Sequence, residues 1–332
     1  MDPANEPRHR SVWTHMMTVP FRQAFVDVAG IRTRYVQAGP ENAPAILMLH
    51  GTAGSWEGFC ANLASHAEHF NCFAIDMVGC GFSTRPDYDY EVPVYVEHAR
   101  NFMRAVGVQR ASFMGASLGA WVVARFALTY PDATDKLVLL SAAGLFANAS
   151  NMARIRNVRS KAVEDPSWGN IKPIFDHLLY REETRIPDII AVRQAVYRQP
   201  GMQQTMNHIL CLQDPEIRPR NLISEDEWRR ITAPALVIGS LADKDEYLET
   251  ARRVSKLMPN ARYVEMHDVG HWPQFEDPET FNPISLAFLK ARGDRTRRSF
   301  ALVRHRSFPA RLQPPGATRP SPRLRVHQPT GI

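Results

Sequence analysis

Ser117 stands at the centre of Gly115-Ala116-Ser117-Leu118-Gly119, a G-x-S-x-G between a short apolar run, Ala111–Met114, and a helical stretch, Leu118–Leu128. A serine in so strained a turn brings the residues two before and two after it together, so a Cβ at either place would clash. The turn lifts the hydroxyl above the sheet at a helix N-terminus, where negative charge is stabilised. A hydroxyl is a poor nucleophile until a base takes its proton, and that base needs a carboxylate to orient it. His271, in Val269-Gly270-His271-Trp272, follows the run Arg262–Met266 and is the expected base. His267 falls too early, at the end of that run. Asp243 and Asp245 both follow the run Ala235–Ile238. Asp243 is the expected acid and Asp245 a helix-N-terminal charge; Asp268 is too near His271 to arrive from another strand. The oxyanion needs two preorganised N–H donors. The Leu118 amide is one, and the Thr52 amide in His50-Gly51-Thr52-Ala53-Gly54 is the other. Gly51 borders the substrate and the His50 side chain is expected to be structural.

These residues need a sheet to hold them. Phe25–Val28 and Ile31–Val36 alternate around Gly30 as a hairpin does. Ala45–Leu49, Cys72–Ile75, Ala111–Met114 and Leu137–Leu140 read as buried strands, with helical spacing at Phe59–His69, Val94–Val106 and Leu118–Leu128 between them. That alternation predicts an α/β fold with a mostly parallel sheet. Residues 145–231 carry no convincing strand, only helical patterns interrupted by prolines. Strand and helix resume at Ala235–Ile238, Glu246–Leu257, Arg262–Met266 and Pro278–Lys290. The division expected is a flexible lead (1–20), a core (21–144 and 232–290), a helical lid (145–231) over the carboxyl edge of the sheet, and a tail (291–332).

The chain has 332 residues and a formal net charge of +6. The tail accounts for more than all of it, with ten Arg, no Lys and one acid; the first 290 residues carry a net −3. A nucleic-acid-binding body is therefore not indicated. The tail's six prolines and sparse apolar residues predict disorder. Cys60, Cys72, Cys80 and Cys211 lack metal-type spacing and read as free thiols of a reducing compartment. No stretch is apolar enough for a signal-peptide core or a membrane span, so a cytoplasmic protein is expected, and no metal or organic cofactor is expected of a serine hydrolase.

Over about residues 21–290 the sequence resembles the α/β-hydrolase family. Within it, the chain resembles the meta-cleavage product hydrolases, which cleave carbon–carbon bonds in aromatic-ring degradation. The resemblance rests on His50-Gly51-Thr52, the turn Asp76–Ser83, the elbow at Ser117, the stretch Val192–Gly201 and above all Gly270-His271-Trp272-Pro273-Gln274-Phe275-Glu276. It implies a central sheet with helices on both faces, a 2-hydroxy-6-oxo-dienoate substrate and a homodimer or larger homo-oligomer. It also implies that Arg193 binds the acidic end of the substrate and Trp272 stands beside the reacting centre. An arginine fork suits a carboxylate on physical grounds too.

Two departures keep other readings open. Ala116 stands where many members of that branch have asparagine, and Thr-Ala-Gly-Ser follows His50-Gly51 in place of a loop richer in glycine and proline. A carboxylesterase or lactonase would use the same triad. A non-catalytic ligand-binding protein could keep the same fold. Epoxide or haloalkane chemistry is disfavoured, because it needs a carboxylate where this chain has Ser117.

Overall fold

The computed structural model describes residues 10–291 and the strand at 300–303. After a short helix α1 (Val12–Met16), strands β1 (Phe21–Val28) and β2 (Ile31–Ala38) form the hairpin expected from their alternation. The chain continues through β3 (Ala45–Leu49), α2 (Cys60–Ala67), β4 (Asn71–Ile75), α3 (Val92–Ala105), β5 (Ala111–Ala116), α4 (Leu118–Thr129) and β6 (Thr134–Leu140). Six helices follow without a strand: α5 (Ala149–Glu164), α6 (Trp168–Leu178), α7 (Pro187–Tyr197), α8 (Met202–Ile209), α9 (Arg218–Asn221) and α10 (Glu225–Arg230). The alternation then returns with β7 (Ala235–Ser240), α11 (Tyr247–Leu257), β8 (Ala261–Met266), α12 (Pro273–Glu276), α13 (Pro278–Lys290) and β9 (Phe300–Val303).

The strands lie in the order β1-β2-β4-β3-β5-β6-β7-β8-β9. β1 and β2 pair antiparallel, as do β2 and β4; every later pair is parallel. β3, β4 and β5 are buried along their whole length, which explains why they read as unbroken apolar runs. Among the described residues no helix is long and apolar enough to cross a membrane.

Two expectations about the chain ends are corrected. Residues 10–20 do not form a flexible lead. Ser11 caps α1 with a capping box, Val12 and Met16 are buried, and Asp188 of α7 accepts from the Ser11 hydroxyl and from the Val12 amide at 2.8 Å. In the tail, residues 300–303 form a strand, parallel to β8. The rest of the tail, from 292 on, lies outside the described residues, as do residues 1–9.

A buried ionic knot fixes the turn Asp76–Ser83. Arg34 of β2 bonds Asp76 at 2.5 Å and Glu57 at 3.0 Å, while Asp76 also accepts from the Trp56 and Phe82 amides. Burial, and then the nearby Asp76 charge, push the Glu57 carboxyl above its usual range. The turn is thus held by structural contacts. All four cysteines are buried and unpaired.

Candidate active site

Ser117 occupies the turn between β5 and α4 at φ 56° and ψ −116°, a region that L-residues rarely adopt. Its amide donates to the Leu140 carbonyl at 2.9 Å, and its carbonyl accepts from Trp121 at 3.1 Å. The glycines flanking it are sterically required. A Cβ on Gly115 would come 2.4 Å from the Gly119 carbonyl oxygen, and one on Gly119 only 2.0 Å from that of Leu49. The N-terminus of α4 is therefore pressed against the end of β3. The loop after β3 arrives at the same spot, since a Cβ on Gly51 would lie 3.2 Å from the Ser117 Cβ.

His50 governs the shape of that loop. Its Nε2 accepts from the Met77 amide at 3.1 Å, so the proton lies on Nδ1, which donates to the Gly51 carbonyl at 2.7 Å. The Gly54 amide donates to that carbonyl as well, at 3.0 Å. A trans peptide is planar, so holding the Gly51 C=O from one side aims the Thr52 N–H to the other. Burial pushes the His50 imidazole down to about 4, which keeps it neutral in this role.

His271 and Asp243 meet at the carboxyl edge of β7 and β8. His271 Nδ1 is 3.1 Å from both Asp243 carboxylate oxygens, and both side chains are nearly shut off from solvent. The Ser141 hydroxyl donates to Asp243 Oδ2 at 2.7 Å and also lies 3.0 Å from the His271 carbonyl oxygen. Tyr247 sets its ring edge-on to the imidazole, with centroids 4.2 Å apart. The loop carrying His271 is tied to the helical cover. The Leu178 carbonyl accepts from the His271 amide at 2.8 Å, while buried Glu276 accepts from the amides of Gly270, Tyr180 and Arg181.

Ser117, His271, Trp272, Gly51 and Thr52 all line one cavity, with Asp243 behind His271 and Leu118 at the start of α4. The roof of the cavity comes from α5 and α6: Arg154, Ile155, Val158 and Arg159, then Pro173, Ile174, His177 and Leu178. Trp272 packs edge-on against Phe175 and Phe275 while facing this space. Asp245 also borders it, but its carboxylate is spent on Arg154 at 2.7 Å and His177 at 2.9 Å. Burial would raise its pKa, yet the bond from His177 and the charge of Arg154 outweigh that and hold it below the usual range. Of the rejected candidates, Asp268 offers its carbonyl to Arg181, and the His267 Nε2 is buried without a hydrogen-bond partner.

Arg193 does not line the cavity directly. It lies buried on α7, its guanidinium 5.4 Å from the Phe175 ring centroid and 5.5 Å from that of Tyr197. Among the described residues its guanidinium makes one hydrogen bond, a long one of 3.4 Å, to the Tyr197 hydroxyl. Other arginines of this helical stretch are committed or exposed: Arg181 and Arg185 bond the Asp268 and Leu179 carbonyls, and Arg198 faces solvent. Ser141, Tyr247, His177 and Arg159 were missed by the sequence reading. Ser141 alone offered a signal, since it follows β6 at the same edge of the sheet as the elbow.

The alpha/beta hydrolase fold family matches residues 44–278, and the chain belongs to it. The chain is 27% identical over 291 residues to a 2-hydroxy-6-oxo-6-(2'-aminophenyl)hexa-2,4-dienoic acid hydrolase of Metapseudomonas resinovorans, covering 83% of this chain and 93% of that one. It is 26% identical over 269 residues to a 2-hydroxymuconate semialdehyde hydrolase of Pseudomonas putida, covering 79% and 92%. Among solved structures, the 2-hydroxy-6-oxo-6-phenylhexa-2,4-dienoate hydrolase of Rhodococcus sp. strain RHA1 superposes with a TM-score of 0.73 at 22% identity, over 82% of this chain and all of that one. An enol-lactonase from Burkholderia xenovorans LB400 shares the fold at a TM-score of 0.69 and 20% identity, covering 81% and 100%.

Proposed function

We propose that this protein is a serine hydrolase that cleaves a carbon–carbon bond in 2-hydroxy-6-oxo-dienoates, with Ser117 as nucleophile, His271 as base and Asp243 as its orienting acid. The observation that carries the substrate class is Arg193, a guanidinium buried in the helical cover with no carboxylate partner among the described residues. Buried charges are normally paired, so this cation lacks an anion that a substrate would bring. The curated relatives named above act on such acids, which agrees with this reading.

The bound dienol first becomes its keto form, which places an electron sink beside the bond to be broken. His271 Nε2 then takes the Ser117 proton as Oγ bonds to the distant ketone carbon. The oxyanion that forms is met by the Leu118 and Thr52 amides. As it collapses, the carbon–carbon bond breaks and its electron pair passes into the departing enolate, which takes the proton back from His271. Water, deprotonated by His271, frees the acyl group from Ser117. Asp243 holds the imidazole tautomer throughout and stabilises its charged form.

The test follows the visible absorbance of a yellow 2-hydroxy-6-oxo-6-phenyl-dienoate. Rapid bleaching that is lost in Ser117→Ala, and lost far more than nitrophenyl ester turnover in Arg193→Ala, supports the reading. Ester turnover without bleaching moves the assignment to a carboxylesterase or lactonase with the same triad. A fluorophosphonate that fails to label Ser117 would leave only a ligand-binding protein.

A further inference from the structure

Arg159, on α5, is the most unusual side chain in the cavity wall. It is buried, it lines the cavity that holds Ser117 and His271, and its Nη1 donates to the Tyr197 hydroxyl at 3.2 Å. Arg193 approaches the same hydroxyl, at 3.4 Å. Two buried guanidinium groups thus share a single phenol oxygen. Among the described residues, neither has an acidic side chain within salt-bridge distance. Arg154, one turn earlier on α5, shows the contrast, because Asp245 neutralises it at 2.7 Å. The strain appears on the phenol: burial would raise the Tyr197 pKa, but the charges of Arg159 and Arg193 outweigh it and hold it below the ordinary value.

We infer that Arg159 is a second substrate-binding residue, which together with Arg193 forms a two-guanidinium seat for a carboxylate, with Tyr197 as the spacer between them. A carboxylate has two oxygens and about four acceptor positions, enough to engage both arginine forks at once. Arg159 lines the cavity, so it makes the first contact, and Arg193 reaches the same Tyr197 hydroxyl from outside that lining. The seat explains why two long cationic side chains are held inside a fold that gives them no counter-ion. The site therefore selects ligands ending in a carboxylate over neutral ligands of the same shape. This deepens the proposed function and rests on it for the identity of the natural substrate, but not for the chemistry of the seat.

The experiment titrates the full-length protein with benzoate and, separately, with benzyl alcohol, by calorimetry. Wild type should bind benzoate saturably and at least tenfold more tightly than benzyl alcohol. Arg159→Gln should erase most of that preference and Arg159→Lys should restore part of it, with benzyl alcohol binding changed less than twofold in both. Equal loss of both ligands in Arg159→Gln, or benzoate binding that Arg159→Gln does not weaken, overturns the inference. If Arg159→Gln does not fold, the Lys variant decides alone: unchanged benzoate affinity there, with a single guanidinium left, also overturns it. A protein that binds benzoate through Arg159 yet never bleaches the dienoate would sink the carbon–carbon reading while leaving this seat in place.

Discussion

The Ser141 hydroxyl lies 2.7 Å from Asp243 Oδ2 and 3.0 Å from the backbone carbonyl of His271, so one side chain braces both residues. Ser141 itself sits at φ 44°, a strained conformation at the end of β6. A hydrogen bond to a charged group contributes about 1.5–3 kcal/mol. Ser141→Ala should lower kcat about tenfold with KM within twofold, measured on a nitrophenyl ester. A change confined to KM would show that Ser141 does not act through the His271–Asp243 pair.

His50 holds the Gly51–Thr52 peptide from behind, and its loss should let the Thr52 amide turn. Removing an oxyanion donor outright costs about 10²–10³ in rate. His50→Ala should lower kcat about 10- to 100-fold. It should also cost about 1–3 kcal/mol of stability, because the buried Met77 N–H loses its acceptor. Steady-state kinetics and urea unfolding on one preparation separate the two effects.

The two neighbouring aspartates should part cleanly on mutation. Asp243→Asn leaves His271 facing an amide and should reduce kcat about 10³–10⁴-fold. Asp245→Asn removes the links from Arg154 and His177, which tie α5 and α6 to this loop. Its effect on kcat should stay within about tenfold, and on stability within about 1 kcal/mol. The opposite ranking would transfer the acid's role to Asp245.

Three buried histidines make the fold sensitive to mild acid. Burial pushes His50 and His66 down to about 4 and His98 down to about 3. The unfolded chain takes up their protons near 6.5 and the folded one resists until well below that. Their contribution is therefore fully present above pH 6.5 and is lost as pH falls from 6.5 towards 4. Each such histidine adds about 1.4 kcal/mol per pH unit to the slope in that window. Unfolding free energy measured in urea at pH 7, 6 and 5 should fall accordingly, and His98→Gln should remove one proton's share. A flat profile would mean that these rings take up protons in the fold at the same pH as in the unfolded chain.

How much of this was legible in the sequence depended on how local the physics was. The elbow was readable because Gly115 and Gly119 answer to backbone clashes set by the turn itself. β3 and β4 were readable because strands covered on both faces are apolar at every position. Asp243 and His271 could be placed because they follow strands that announce themselves. Ser141 and Arg159 could not be assigned a role, because each acquires it from partners far away in the chain: Asp243 is 102 residues from Ser141, and Tyr197 is 38 from Arg159. The order of residues 10–20 was hidden for the same reason, since α1 is anchored by Asp188 more than 170 residues on. Arg193 was singled out by resemblance, but nothing in the pattern showed that its hydroxyl neighbour is shared with a second cation.

The 2.0 Å that a methyl at Gly119 would leave to the Leu49 carbonyl has a consequence for how this protein can change. The turn at Ser117 and the loop opposite it are parts of one rigid casting, and a side chain at Gly115 or Gly119 would break it. The roof over them comes from side chains of α5 and α6, which can change without entering that backbone contact. Mutational drift can therefore rewrite what the cavity admits, residue by residue across α5 and α6, while the machinery beneath stays in register. New substrates should be reached from the roof and not from the elbow.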